Sequence, residues 1–156
     1  MNGLPTEART GRQHQRYTAE GIRQVAVAIP IDPETKKVLI ISSSKYANVW
    51  VLPKGGWESD ETQEEAAKRE TYEEAGVVGD ITSFIGNDQD YTFDGKPKTY
   101  FWIYEIAVRE IMPTWPEDRV RKRRWCTFDE AIEALTFKSF MQNALRKSSI
   151  APPSQV

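Results

Sequence analysis

Three glutamates at helical spacing are the residues of this chain whose types and positions most clearly indicate chemistry. Glu70, Glu73 and Glu74 lie within a segment that predicts a helix. At about 100° per residue, Glu70 and Glu74 point about 40° apart, and Glu73 points about 60° from Glu70. Carboxylates this close repel one another unless a cation lies between them, so the spacing indicates a bound metal. The alternative is a solvated acidic helix face.

The kind of metal follows from the ligands that the chain can offer. The only histidine, His14, lies in a polar N-terminal segment, and the only cysteine, Cys126, lies in an apolar stretch where it predicts a core residue. A single cysteine excludes an internal disulfide and a thiolate cluster. Oxygen ligands alone favour a hard cation, so we expect Mg²⁺, with Mn²⁺ as the alternative.

The helix that carries the glutamates is predicted to begin near Ser59 or Asp60. Asp60, followed three residues later by Gln63, would cap its first turn. Gly76 is the expected end, because glycine adopts the left-handed conformation after a last turn at little cost.

The glutamates belong to a longer pattern of fixed positions. These positions are Gly55, Glu61, Arg69, Glu70, Glu73, Glu74 and Gly76. Their spacing resembles the signature box of the Nudix hydrolases at every fixed position, whereas Thr71 departs from the aliphatic residue that the family prefers. The resemblance implies an α/β fold, an α/β/α sandwich around a mixed β-sheet, and metal-dependent hydrolysis of phosphoanhydrides.

The resemblance also implies roles for the residues of the box. Glu70 and Glu74 would be metal ligands, joined by a backbone carbonyl of Lys54 or Gly55. Glu73 would be the general base or an additional metal ligand, because the family is not uniform at this position.

Two further residues of the box would support the carboxylates. Arg69 would act in catalysis by orienting them through a bidentate pair with one of them, rather than by binding substrate. Glu61 would anchor the loop or reach a metal through water. A bound metal lowers the pKa of water and neutralises phosphate oxygens, which is the chemistry that this hydrolysis needs.

Outside the box, the chain resembles the diphosphoinositol polyphosphate phosphohydrolases, especially their fungal members. The resemblance runs from about Arg23 to Lys138 and depends on residues 41–45, 52–58, 121–125 and 128–135. An inositol pyrophosphate is a ring crowded with phosphates, so its site needs many cations and hydroxyl donors. The phosphate contacts implied are Arg23, Ser43, Ser44, Lys45, Lys54 and Lys138, one or more of Arg121, Lys122 and Arg123, and, from a looser match, Lys96 and Lys98.

Several alternatives stay open from the sequence. Residues 121–124 could form a solvated edge strand or a weak nuclear-targeting patch. A second function is hydrolysis of diadenosine polyphosphates or capped RNA, although we identify no aromatic clamp for a base. A third is a non-catalytic polyphosphate-binding protein, but such proteins usually lose glutamates of the box that are all present here.

Composition is ordinary for a soluble globular protein. The chain has 156 residues, 39% of them hydrophobic and 28% charged, with a formal net charge of −2. No overall positive field recruits nucleic acid, and no stretch has the length of a transmembrane helix. We expect a monomer that binds a small polyphosphate, without membrane contact or a stable nucleic-acid complex. The expected location is the cytoplasm or the nucleus; a secreted protein whose leader had been removed would look the same.

The remaining elements predict one domain. We expect a flexible arm at residues 1–17, a single domain at 18–148 and a disordered tail at 149–156. The predicted strands cover residues 22–29 (ended by Pro30), 37–43, 49–52, 77–78 with 81–85, 99–108 and 123–128. Residues 87–98 predict a hairpin or a mobile loop. Two helices are predicted at residues 128–135, behind a capping box of Thr127 and Glu130, and at residues 137–146.

Overall fold

A mixed sheet organises the chain in the computed structural model, which describes residues 3–153. Among these residues the elements follow in the order β1 Arg23–Ile31, β2 Val38–Ser42, β3 Trp50–Val51, β4 Lys54–Gly56, α1 Gln63–Ala75, β5 Val77–Tyr91, β6 Pro97–Ile111, β7 Arg123–Cys126, α2 Phe128–Ala134 and α3 Ser139–Arg146. The main strand order is β3-β2-β1-β6-β5, while β4 pairs with β1 and β7 with β2. β1 and β6 run parallel, and the other pairs are antiparallel.

Alternating residues of β1 face helices on opposite sides of the sheet. Ala26 and Ala28 pack with Ala66 and Ala67 of α1. Val25, Val27 and Ile29 instead share a core with apolar residues of α2 and α3. The alanines let α1 approach the sheet closely, since they add little side-chain volume between the layers. The expected α/β/α sandwich is confirmed.

Helix α1 begins later than expected. Its N-cap is Thr62, whose side chain accepts from the backbone N–H of Glu65, and the Glu65 side chain accepts from the N–H of Thr62. The predicted start at Ser59 or Asp60 is wrong because this reciprocal capping box lies two to three residues further on. The predicted end is confirmed: Gly76 has φ 68° and donates its N–H to Tyr72 O.

Pro30 lies within β1, so the prediction that it ends the strand is wrong. The N–H groups of Ala28 and Asp32 point away from β6 and donate to Pro53 O and Lys37 O. Pro30 occupies the same side of the strand, between these two donors. The hydrogen bonds to β6 use the alternate residues, so a proline here removes no bond from the parallel pair.

The strands of the β5–β6 hairpin are longer than predicted. Each spans 15 residues, and the turn at their tip occupies only residues 92–96. A hairpin at residues 87–98 is therefore confirmed, and the mobile-loop alternative is wrong. β4 was not predicted as a strand, because two of its three residues are glycines of low strand propensity; pairing with β1 makes it one.

Both ends of the described chain contact the domain. Arg16 donates its backbone N–H to Trp57 O, and Ser149 donates from its N–H and Oγ to the carboxylate of Glu105. The flexibility expected for residues 1–17 and the disorder expected for 149–156 stay predictions; residues 1–2 and 154–156 lie outside the described residues. No helix within residues 3–153 has the length and apolarity to cross a membrane.

Candidate active site

β4 and α1 bring the glycine turn against the glutamates of the box. The backbone N–H of Lys54 donates to Glu74 Oε1 at 3.0 Å. A Cβ at position 55 would overlap the carboxylate of Glu70. A side chain at position 55 would therefore displace the carboxylate of Glu70, which is buried and hydrogen-bonded to Arg69; glycine leaves that carboxylate in place.

Arg69 connects most carboxylates of the box. Its guanidinium makes a bidentate pair with Glu61, at 2.7 and 2.9 Å. It also donates to Glu70 Oε1 at 2.7 Å, to Glu73 Oε1 at 3.2 Å and to the carbonyl of Gly56 at 2.9 Å. Arg69 thus fixes the orientation of the carboxylates and neutralises part of their charge, while its side chain is only 12% exposed.

Burial makes the charged forms of these glutamates costly. It raises the pKa of Glu70 to about 7 and the pKa of Glu74 to about 8, and it also raises the pKa of Glu73. The mutual repulsion of Glu70 and Glu74 adds to the raised pKa of Glu74. A divalent cation would favour the charged carboxylates, and the donors are oxygen atoms, so the residues fit a hard cation.

The carboxylates of Glu70, Glu73 and Glu74 do not converge on a single point. Within residues 3–153, no set of three acidic, histidine or cysteine side chains converges at metal-binding distance. Cationic partners occupy the carboxylate oxygens instead: Arg69 contacts Glu70 and Glu73, and Arg121 Nη2 lies 3.2 Å from Glu74 Oε2. The metal ligands Glu70, Glu73, Glu74, Lys54 and Gly55 stay predictions.

The N-terminal arm contributes a residue that sequence reasoning missed. The backbone N–H of Arg9 donates to Glu73 Oε2 at 3.2 Å, and its guanidinium pairs with Glu58 at 2.7 Å and Asp60 at 2.9 Å. The arm therefore lies directly on the box. The only signal in the sequence is a pair of arginines, Arg9 and Arg12, in a segment without periodicity.

Arg121 joins the box to the neighbouring cavity. Its guanidinium donates to Glu117 Oε1 at 3.0 Å and to the carbonyl of Ser42 at 3.0 Å, besides pairing with Glu74. Glu117 also donates its backbone N–H to the carbonyl of Glu73. Arg121 was predicted as a phosphate contact; the structure ties it to a carboxylate of the box as well.

A cavity of about 610 Å³ adjoins the box and collects most of the predicted phosphate contacts. The predicted residues that line it are Arg23, Ser43, Ser44, Lys45, Lys54, Lys98, Arg121 and Lys138. Arg12 also lines it and was not predicted. A smaller cavity of about 360 Å³, lined by Glu70, Glu73 and Glu74, shares Arg12, Arg23 and Lys54 with it. The two cavities therefore meet beside the carboxylates.

Three predicted contacts lie outside this cavity. Lys96 is 79% exposed at the hairpin tip, beside Asp94. Lys122 is exposed on the loop before β7. Arg123 donates to the carbonyls of Ala75, Gly76 and Met112 and lies 3.8 Å from the centroid of the Trp115 ring. Its guanidinium thus satisfies the C-terminal end of α1, and β7 turns it away from the cavity.

The contact between Gly55 and Glu70 gives a first testable prediction. Gly55→Ala should lower the free energy of unfolding by about 1–3 kcal/mol, because the new methyl group overlaps the carboxylate. Glu70→Ala removes that carboxylate, so Gly55→Ala should cost far less in a Glu70→Ala background. Urea unfolding of the four proteins in this double-mutant cycle measures the coupling. Additive losses would contradict the steric explanation.

Comparison with known proteins agrees with this geometry. The family model described as "NUDIX domain" matches residues 22–147. "Nudix hydrolase 21, chloroplastic" of Arabidopsis thaliana is 40% identical over 146 residues, covering 88% of this chain and 72% of the relative. "Diphosphoinositol polyphosphate phosphohydrolase 3-beta" of Bos taurus is 39% identical over 139 residues, covering 86% of this chain and 79% of the relative.

Solved structures share the fold. A NUDIX hydrolase from Nitrosomonas europaea superposes with a TM-score of 0.69 at 16% identity, covering 81% of this chain and 87% of that one. An Ap4A hydrolase from C. elegans, solved as a binary complex, gives a TM-score of 0.56 at 21% identity, covering 79% and 93%. The chain belongs to the Nudix hydrolases. It is a pyrophosphohydrolase of that family.

Proposed function

We propose that this enzyme removes the terminal phosphate from diphosphate groups of inositol pyrophosphates, with Mg²⁺ or Mn²⁺ as its cofactor. The observation that carries the proposal is the cationic cavity beside the box. Its walls hold seven basic residues, namely Arg12, Arg23, Lys45, Lys54, Lys98, Arg121 and Lys138. Two acidic residues, Glu74 and Asp90, also line it. On a chain with a net charge of −2, this cluster supports a highly anionic substrate.

The arrangement suits a phosphate-rich ring. Lysines provide point charges and arginines provide paired donors, while Ser43 and Ser44 add hydroxyl groups. Because the cavity meets the carboxylates at Lys54 and Glu74, a ring held in it presents a diphosphate group to the box. The relative from Bos taurus is named as a diphosphoinositol polyphosphate phosphohydrolase, which supports the same substrate class.

The chemistry is hydrolysis of a phosphoanhydride. Glu70 and Glu74, with a carbonyl of Lys54 or Gly55, would hold the divalent cation, which when bound would supply activation of water and neutralisation of phosphate charge. Glu73 accepts the proton of the attacking water, the new P–O bond forms, and the anhydride P–O bond breaks with its electron pair on the leaving phosphate oxygen. Arg69 acts as a positioning residue, because its Nη1 donates both to Oε1 of Glu73 and to Oε1 of Glu70.

A second substrate class has support of its own. The fold neighbour from C. elegans is named as an Ap4A hydrolase, and a diadenosine polyphosphate carries the same anhydride bonds. We further propose that the enzyme acts as a monomer in the cytoplasm or the nucleus. Relatives named as chloroplastic and mitochondrial make organelles the alternative location.

Substrate preference tests this proposal. Phosphate release with Mg²⁺ should be faster from an inositol pyrophosphate than from a diadenosine polyphosphate. Lys138→Met should raise KM for the inositol substrate by about 10-fold, the loss expected for one charge-assisted contact. Lys96→Met, at the exposed hairpin tip, is the matched control and should keep KM unchanged. Faster turnover of the nucleotide would overturn the proposed substrate and keep the hydrolase chemistry.

Metal binding can be measured without turnover. Mg²⁺ at about 100 times its dissociation constant should stabilise the native chain by about 2.7 kcal/mol, because it binds the folded state alone. EDTA should remove this gain, and so should Glu74→Gln, which leaves one anionic ligand fewer. Glu133→Gln, an exposed change on α2, should keep the full gain. An equal Mg²⁺ gain in Glu74→Gln and the native chain would exclude Glu74 as a ligand.

A further inference from the structure

Exposed aromatic side chains surround the cationic cavity. Tyr17, Tyr46 and Phe137 line it, although they are 45%, 54% and 47% exposed. An exposed aromatic ring beside a binding cavity offers a flat apolar surface on which a ligand can pack. Sequence reasoning identified no aromatic clamp, because these residues come from three distant parts of the chain.

Tyr46 and Phe137 form a pair. Their ring centroids lie 5.3 Å apart with an interplanar angle of 44°. Tyr46 belongs to the β2–β3 loop, where Ser43 Oγ accepts from the backbone N–H groups of both Lys45 and Tyr46 at 3.1 Å. Phe137 belongs to the connection between α2 and α3, directly before Lys138. Each aromatic residue thus follows or precedes a lysine of the cavity wall.

In both loops a lysine lies next to the aromatic residue in sequence, so each loop presents a positive charge beside an aromatic ring. Lys45 precedes Tyr46 and Lys138 follows Phe137, and Lys138 Nζ lies 5.6 Å from the centroid of the Phe137 ring. A phosphorylated inositol ring presents charge on all sides and no flat apolar face, so it gives the aromatic pair no role. A nucleotide has both parts: a base that stacks on aromatic rings and phosphates that need cations.

We propose that Tyr46 and Phe137 form a stacking platform for the purine base of a dinucleoside polyphosphate, whose phosphate chain extends past Lys45 and Lys138 toward the box. This inference rests on the proposed phosphoanhydride hydrolysis at the box. It assigns residues to the second substrate class: the aromatic pair, rather than the box, determines how well nucleotides compete with inositol pyrophosphates.

The base is recognised by its flat face. Stacking tolerates different bases, since every base has a π-face, so adenine and guanine dinucleotides should both bind. The lysines contact phosphate oxygens in either substrate class. The contribution of the platform is therefore separable from the contribution of the cations by comparing substrates with and without a base.

The test compares two substrates on one set of variants. Diadenosine pentaphosphate and an inositol pyrophosphate are hydrolysed with Mg²⁺ by the native chain, Tyr46→Ala, Phe137→Ala and Tyr46→Phe. The ratio of kcat/KM for the nucleotide to kcat/KM for the inositol substrate should fall about 10-fold in each alanine variant, mainly through KM of the nucleotide. Tyr46→Phe keeps the ring and should keep the ratio.

A control elsewhere excludes a general effect of removing an exposed ring. Phe93 lies at the tip of the β5–β6 hairpin, fully exposed and outside the cavity. Phe93→Ala should leave the ratio at its native value. Circular dichroism and thermal melting of each variant separate loss of the ring from loss of the fold.

The outcomes separate this inference from the proposed function. A ratio unchanged in both alanine variants, or lowered equally by Phe93→Ala, would overturn the platform. A native chain that hydrolyses no diadenosine pentaphosphate would overturn it as well. If the native chain hydrolyses the nucleotide but no inositol pyrophosphate, and the alanine variants raise KM for the nucleotide, the platform stands and the proposed inositol substrate is wrong.

Discussion

Glu73→Gln should lower kcat for phosphate release by about 10²-fold or more, the range expected when a general base is removed. Glu73 is 2% exposed and is held from two sides, by Arg69 at Oε1 and by the backbone N–H of Arg9 at Oε2. Glutamine has the same shape but cannot accept the proton of the attacking water. The amide should therefore fill the site without restoring the reaction.

The control for this prediction lies on the same helix. Glu64→Gln changes an exposed residue in the first turn of α1 and should keep kcat within about two-fold, since surface substitutions away from such sites have small effects. Turnover across a range of Mg²⁺ concentrations distinguishes the two roles left open for Glu73. A metal ligand predicts activity that recovers with added Mg²⁺, whereas a base predicts a low kcat at every concentration. Retention of most of the native kcat would exclude both roles.

Arg69→Met should lower the free energy of unfolding by about 3–5 kcal/mol, because breaking a buried ion pair leaves uncompensated charge. Arg69 makes five hydrogen bonds, four of them to the carboxylates of Glu61, Glu70 and Glu73. Methionine fills similar volume without a donor. The carboxylates and the Gly56 carbonyl would then lose the donors that the guanidinium supplies.

An exposed ion pair of an arginine and an aspartate provides the control, because its N–O distance equals the shortest ones that Arg69 makes. Arg109 Nε lies 2.7 Å from Asp80 Oδ2, and the two side chains are 53% and 59% exposed. Arg109→Met should cost only about 0–1 kcal/mol, because solvent screens this pair. Urea unfolding in EDTA measures both variants without a metal. Equal losses in the two variants would mean that the burial of Arg69 does not determine its contribution.

Local patterns explain the parts of the site that were predictable. The positions of Glu70, Glu73 and Glu74 on one helical face follow from helix periodicity, and the end of α1 follows from Gly76. The capping box of Thr127 and Glu130 is local for the same reason. Such features need only neighbours along the chain, so the sequence contains all the information that forms them.

Errors in the prediction arise where distant strands compete with local signals. Pro30 is a strand breaker by propensity, yet it remains in β1 because its missing N–H lies on the side away from β6. The lengths of β5 and β6 depend on their pairing with each other, since residues 87–91 alone are polar and carry weak strand signals. The basic run 121–124 shows the same limit: Arg121 pairs with Glu74 and Arg123 donates to the Ala75 carbonyl, and both contacts depend on where the end of α1 packs beside β7.

The sequence by itself determined the family, the reaction class and the glutamates of the box, because those residues lie close together in the chain at a spacing that a helix reproduces. Only the tertiary structure decided that Arg9 reaches Glu73 and that Tyr46 meets Phe137 at the mouth of the cavity. These contacts join segments far apart in the chain, and packing of the whole sheet with its helices brings them together. Periodicity or spacing within one segment cannot predict a contact between two distant segments.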